Sequence, residues 1–375
     1  MNIALIALPN QAKLIYPPLS LAYLATLLEQ RRHIVRIYDL ALDPEQGLAS
    51  ILSALRSFRP QLVVVVSEPG EPGEPTVEVL RGEAERHTHL LEVQMLRNGL
   101  DVLQATTRML AWLDQQRGVE PTPPPHNLDQ LPLPARHLLP LERYHLRAPG
   151  GELQTTLLMG AIRPDGHFAL RSPERLVAEV RSISHEFGLR HYLLSDVPIT
   201  LVRPWLDELL DTLSKAQLGI GWEANTQPEQ LDANLLARFA AANCECLTFQ
   251  LDAISLFESS ATREALRQAV THARQHGIFI RANLKLEPPY ESIPQLVDVA
   301  ATFGLDDVHF DVAQADAASV GADEAKLREM ARQMYDQGRD RQRFIKRFGP
   351  TLGGLLWRLR GPRGQSQFDD EGLPA

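Results

Sequence analysis

Few residues in this chain are equipped for chemistry. Its 375 residues include two cysteines, Cys244 and Cys246. One residue apart on an extended chain, their sulfurs lie on the same side. They read as half of a zinc or copper site completed by His272 or His276, or as two small hydrophobes opening an apolar strand. The second reading is preferred, because no histidine-rich completion stands at ligand spacing, and no bound metal is expected. Asp307, His309 and Asp311 alternate, so on a strand they share one face as a polar row. Asp196, Asn225 and Asp252 fall at the C-terminal ends of expected strands, where α/β sheets hold ligands. His87 and His89, beside Glu83 and Glu85, read as a metal loop or, preferably, as a solvated charged segment. No G-x-S-x-G elbow, phosphate-binding loop or H-E-x-x-H helix occurs.

The elements that must position these residues follow from hydrophobic spacing. Residues 2–8, 34–38 and 61–67 are short apolar runs that read as buried parallel strands. Helical spacing over 19–31 and 51–58 separates them, giving strand, helix, strand, helix, strand, a doubly wound pattern. Residues 68–76, EPGEPGEPT, then read as an acidic loop unable to form helix or central strand. Residues 77–80 suggest a short strand and 100–117 a helix. Three convincing strands are few for a complete doubly wound domain, so 1–118 is taken as a truncated α/β domain. Residues 119–150 are a proline-rich connector. Residues 151–318 alternate strand and helix about six times, with strands near 153–159, 191–195, 219–224, 246–251, 278–286 and 307–312. That array is a partial (βα)6 barrel or an open sheet. Residues 319–375 form a basic helical extension and a polar tail.

Composition sets the class. Hydrophobic residues are 44% and charged residues 23%, as in a soluble globular protein. A net charge of −9 argues against a nucleic-acid partner. Two cysteines exclude a disulfide scaffold and fit a reducing, cytoplasmic setting. No apolar run reaches the roughly 20 residues that span a bilayer, and residues 1–8 read as a first strand rather than a signal peptide. The basic, aromatic stretch 341–360 could lie on an anionic membrane. A helix packed on the barrel is the preferred reading.

Several stretches carry a family likeness. Tyr16-Pro17-Pro18-Leu19-Ser20-Leu21-Ala22-Tyr23-Leu24-Ala25 is similar to the first loop and helix of a cobalamin-binding domain. Leu131-Pro132-Leu133-Pro134-Ala135, continued by Leu138-Leu139-Pro140-Leu141-Glu142-Arg143-Tyr144, is similar to an interdomain connector. Arg171-Ser172-Pro173-Glu174 with Val177 and Glu179 is similar to the start of a first barrel helix. Trp222 to Thr226, Leu231-Asp232, and Cys244 to Asp252 continue the likeness in order. Together they resemble the radical S-adenosylmethionine (SAM) enzymes that carry an N-terminal cobalamin-binding domain.

That resemblance implies SAM, cobalamin and a 4Fe–4S cluster held by a CxxxCxxC motif between Gln154 and Phe168. The stretch reads QTTLLMGAIRPDGHF, and Thr, Met and His are poor substitutes for three thiolates. The cluster is therefore not expected. The resemblance also implies two further βα units after the third strand, and their apparent loss argues against cobalamin. Asp196, Asn225 and Asp252 match strand ends that would line a residual SAM pocket. The function expected is a degenerate homologue acting as a pseudoenzyme that binds a partner or ligand. An intact radical SAM or pathway enzyme is the expected partner. The alternative is SAM- or cobalamin-dependent, methyltransferase-like chemistry without a radical in the same barrel.

Overall fold

The structure, a computed structural model, describes residues 1–9, 16–43, 47–67, 74–83, 88–96, 99, 101–116, 118, 128–163, 167–194, 197–252, 256, 259–286, 293–312, 329–336, 338, 340, 347 and 349. The chain packs as two compact units, Met1–Glu223 and Ala224–Ala375.

The first unit opens with a parallel sheet of β1 (Asn2–Ala7), β2 (Ile34–Asp39), β3 (Leu62–Ser67) and β4 (His89–Gln94), in the order β2-β1-β3-β4. Alternation along β1 sends its apolar residues both ways. Ile3, Leu5 and Ala7 pack with Leu21, Leu24 and Leu28 of α1 (Leu19–Gln30) and with Met109 and Leu113 of a later helix, Val102–Gln116. Ala4 and Ile6 pack with Ile51 and Phe58 of α2 (Gly47–Phe58) and with Val77 and Leu80 of α3 (Glu74–Glu83). Covering both faces is what makes the central strands continuous hydrophobic runs. The Val102–Gln116 helix is α4.

Two expectations are corrected here. Residues 77–80 are not a strand. Val77 and Leu80 stand three apart on one face of α3, and Pro75 sits in the first turn, where its missing N–H costs nothing. His89, in the segment read as solvated and charged, is exposed but lies on a strand. It begins β4, and its ring meets the Trp112 ring edge-on at 6.3 Å between centroids. The sheet thus has a fourth strand, with helices before and after it, where three strands were expected. Most of EPGEPGEPT lies outside the described residues.

A second sheet follows the connector. Its strands are β5 (Gln154–Thr156), β8 (His191–Leu194), β9 (Gly221–Thr226), β10 (Cys244–Asp252), β11 (Phe279–Leu286) and β12 (Asp307–Val312), in the order β12-β11-β10-β9-β8-β5. The registers β5–β8, β10–β11 and β11–β12 are parallel. Helices α5 (Pro173–Phe187), α6 (Arg203–Ala216), α7 (Ala233–Ala241), α8 (Ser260–Gln275) and α9 (Ile293–Phe303) connect the later strands. Among the described residues these six strands and five helices form the parallel half-barrel expected from the βα repeat.

The helix starts are written locally. Ser172 accepts a hydrogen bond from the Arg175 amide with Pro173 at the first position of α5, and Gly188 ends that helix at φ 70°. Asp232 caps α7 and Ser259 caps α8 in the same way. Among the described residues, no helix is long and apolar enough to cross a membrane.

Sequence reading also missed a hairpin. An antiparallel hairpin, β6 (Gly160–Ile162) with β7 (Phe168–Leu170), follows β5. A Cβ on Gly160 would press on the Phe168 ring and stand 2.7 Å from the Ala169 carbonyl oxygen, so the close strand approach requires glycine. The expected strand near 153–159 ends at Thr156.

Candidate functional site

In the second unit, β10 to β12 have two contrasting faces. Leu247, Phe249, Ile280, Ala282, Leu284, Val308 and Phe310 are buried. The alternate residues are polar, and the register aligns them in rows. Thr248 stands beside Arg281, and Arg281 beside Asp307. Gln250 stands beside Asn283, and Asn283 beside His309. Gln250 is exposed, while Asn283 and His309 are half-buried. An accessible row of amide, imidazole and guanidinium groups can bind a polar ligand, and strand pleating alone sets its spacing.

Asp307 organises one end of that face. His309 Nε2 lies 3.0 Å from Asp307 Oδ2, and Arg332 Nη1 donates to Asp307 Oδ1 at 2.7 Å. Arg281 Nε lies 3.7 Å from the same carboxylate. Burial would raise the Asp307 carboxyl, but the hydrogen bonds from His309 and Arg332, and their charges, outweigh it and hold it well below the usual carboxylate range. A carboxyl depressed in the folded state stabilises above its unfolded value of about 3.9, and that contribution vanishes as pH falls through the folded value. Asp307→Asn is therefore expected to lower the melting temperature at pH 7. The gap to wild type should close as the pH approaches the depressed value, read by thermal melts across a pH series.

Asn225 lies near the end of β9, half-buried, and Asp252 is the last residue of β10, in register with Lys285. Both occupy strand ends. Asp196 lies outside the described residues, so the three expected SAM-pocket residues are not seen as a set. The polar row of Asp307 and His309 is present, and their side chains touch. Arg281 and Arg332, which complete that cluster, were missed. They come from other elements, and no local spacing joins them to Asp307.

The two cysteines are buried, form no disulfide and belong to β10. Among the described residues, no group of three or more His, Cys, Asp and Glu side chains could hold a metal ion.

Residues 157–161, within the stretch where the resemblance places a cluster motif, are built as core. After β5 the chain runs through Leu157, Leu158 and Met159 into the hairpin, and all three side chains are buried. Leu158 and Ala161 pack with Leu19 and Tyr23 of α1 and with Val102 and Leu103 of α4. The backbone is also fastened. The Arg171 amide donates to the Met159 carbonyl at 2.8 Å, and Arg171 Nη1 to the Leu158 carbonyl at 3.2 Å.

Arg171 belongs to a buried ionic network that sequence reading quoted in part and did not assemble. Glu179 on α5 accepts from Arg171 Nη1 at 2.6 Å and from Arg136 Nη2 at 2.8 Å. All three are 2% exposed or less. Arg171 Nη1 also donates to Tyr23 Oη on α1 at 3.0 Å. Arg136 in the connector donates to Thr155 Oγ1 at 3.1 Å and to the Thr156 carbonyl at 2.7 Å. Burial pushes the Glu179 carboxyl up. The charges of Arg171 and Arg136, with their hydrogen bonds, outweigh that and hold it below the usual range.

Comparisons with known proteins agree with this architecture. No family profile matches the chain. The uncharacterized methyltransferase PH0819 of Pyrococcus horikoshii is 20% identical over 350 residues, covering 79% of this chain and 76% of the relative. The radical S-adenosylmethionine methyltransferase TsrM from Kitasatospora setae, solved with cobalamin and a 4Fe–4S cluster, superposes with a TM-score of 0.59. Its identity is 15% over 83% of this chain and 74% of TsrM. The cobalamin-dependent S-adenosylmethionine radical enzyme OxsB gives a TM-score of 0.56 and 10% identity over 89% of this chain and 55% of OxsB. The fold is that of cobalamin-dependent radical SAM enzymes.

Proposed function

We propose that this chain is a cluster-free member of that fold, a pseudoenzyme that binds a ligand or a partner protein and generates no radical. The observation that carries the reading is the segment after β5. A cluster of the parent type needs three thiolates on one loop. Here that stretch is apolar, buried against α1 and α4, and pinned through its carbonyls by Arg171. The only two sulfhydryls of the chain sit on β10. The residues present do not fit a cluster. An intact radical SAM or pathway enzyme is the partner that fits a retained architecture, and two cysteines not joined in a disulfide fit the reducing cytosol.

Anaerobic reconstitution with iron and sulfide tests the reading. The expected product holds well under one cluster per chain, lacks the broad visible absorption of an iron–sulfur protein, and releases no 5′-deoxyadenosine from SAM under a strong reductant. Four irons per chain with reductive SAM cleavage would overturn it.

A second reading is favoured by the polar face of β10 to β12: SAM- or cobalamin-dependent methyl transfer without a radical. Asp196, Asn225 and Asp252 would then hold SAM, and His309 would lie among the polar groups nearest the chemistry. Calorimetry with SAM and with hydroxocobalamin separates the two readings. Heat on SAM injection that disappears in Asp252→Ala supports the second.

A further inference from the structure

Strand β4 lies at an edge of the four-stranded sheet, and among the described residues no strand pairs with its outer side. The His89 and Met95 amides donate to the Gln61 and Ser67 carbonyls on the β3 side. Backbone direction alternates along a strand, so Leu90, Glu92 and Gln94 turn their N–H and C=O groups outward. An open ladder of this kind is a template for another strand. A groove of about 350 Å³ runs beside that edge, between β4 and α4. Leu91, Val93 and Trp112, all half-buried, give it an apolar wall. Helix α4 runs back along β4. The Trp112 ring meets His89 at one end, and at the other the Asp101 carboxylate accepts from the Leu96 amide at 3.0 Å. Arg108 stands between them, four residues before Trp112. It is exposed, lines the groove, and has no ion-pair partner among the described residues. Glu92 does not supply one, because its carboxylate pairs with Arg81 of α3.

We propose that β4 takes up an extended, acidic peptide segment of a partner protein as a fifth strand, antiparallel to β4. Antiparallel pairing is the more stable per residue. The segment carries an acidic residue followed two places later by a large apolar one. That spacing follows from the two elements: four helix residues advance about 6 Å, and two strand residues about 6.6 Å. The acid, opposite Val93, meets Arg108. The apolar side chain, opposite Leu91, covers Trp112. The residue between them stands opposite Glu92 and exchanges both main-chain hydrogen bonds with it. Peptides added to a sheet edge take affinity from the main chain and specificity from alternate side chains. A second copy of this chain fits less well. Pairing β4 with itself about a two-fold axis brings two Arg108 guanidiniums to one side of the joint sheet and gives neither a carboxylate. The inference adds a surface to the function proposed above and does not rest on it, since strand uptake at β4 requires neither the presence nor the loss of a cluster.

Fluorescence anisotropy on the full chain tests it, with the labelled peptide Ser-Thr-Glu-Thr-Leu-Thr-Ser. Saturable binding is expected. Replacing the peptide's glutamate by glutamine should weaken it at least about three-fold, the scale of one charge-assisted contact at a part-exposed site. Arg108→Gln, on an exposed side chain, should lose a similar factor for the glutamate peptide and bind both peptides alike. N-methylation of the threonine between glutamate and leucine removes a donor aimed at Glu92 and should cost at least about ten-fold. N-methylation of the leucine, whose N–H points away from β4, should cost less than about two-fold. No saturable binding, equal affinity for the glutamine peptide, unchanged affinity in Arg108→Gln, or tolerance of the threonine N-methyl group overturns the inference. So does a dimer in sedimentation that the peptide fails to dissociate, which would assign the edge to self-pairing.

Discussion

Glu179→Gln is expected to destabilise the first unit by about 3–5 kcal/mol, the range for removing one partner of a buried ion pair. Two guanidiniums, each 2% exposed, would lose their shared countercharge without gaining water. A neutral amide can still accept one hydrogen bond, but it cannot balance the charge of Arg136 or Arg171. In a unit of this size the loss corresponds to a fall in melting temperature of roughly 6–20 °C. Urea unfolding would show it as a lower midpoint at unchanged slope. A companion variant sharpens the point. Replacing Arg136, Arg171 and Glu179 together by leucine or methionine should recover much of the loss, since well-packed apolar residues can match a buried ionic cluster. If the single variant unfolds like wild type, the network carries no stability and the account of it fails.

The same group sets an acid limit. Glu179 is depressed in the folded state, so its contribution is complete above its unfolded value of about 4.3 and is lost as pH falls through the folded value. Asp307 acts in the same direction in the second unit. Wild type should therefore weaken in acid, and Glu179→Gln, already lacking the carboxylate, should weaken less steeply.

The network also explains which parts of the family likeness survive. Tyr23, Arg171 and Glu179 all lie in the stretches that resemble the radical SAM enzymes, and Arg136 sits inside the connector. Here they are joined by hydrogen bonds of 2.6–3.0 Å in the core. Glu179 is the countercharge that both guanidiniums share, so it cannot be lost alone without stranding charge. The resemblance in these segments therefore reports architecture and says little about chemistry.

What the sequence made legible follows from range. Apolar runs such as residues 62–66 and the helical spacing between them are local signals, and they placed most elements within a few residues. Val77 and Leu80 were misread because a short apolar pair fits either period, and the prolines before it suggested a loop. β4 was missed because an edge strand, HLLEVQ, is mostly half-exposed and lacks the continuous apolar run of β3. The ionic network was illegible because Glu179 and Arg136 stand 43 residues apart. At the candidate site, Asp307 and His309 were readable from alternation. Arg332 reaches them from 25 residues away and left no local trace.

Leu158→Ala is expected to lose about 2–5 kcal/mol, the cost of emptying a packed aliphatic site. Leu158 is 1% exposed and touches a cluster drawn from α1, α4 and the hairpin, so three separate elements would face the cavity. The result bears directly on function. A loop built to carry metal ligands must leave room for the metal and for the substrate it activates, and trimming one apolar side chain there should change chemistry more than stability. A loop that has become core should do the reverse. Chemical unfolding of Leu158→Ala beside a surface control such as Arg203→Ala distinguishes the two. A loss under about 0.5 kcal/mol, the level of ordinary surface substitutions, would mean that the segment is not load-carrying packing. The case that the cluster site has been filled would then lose its structural half, leaving only the count of sulfurs.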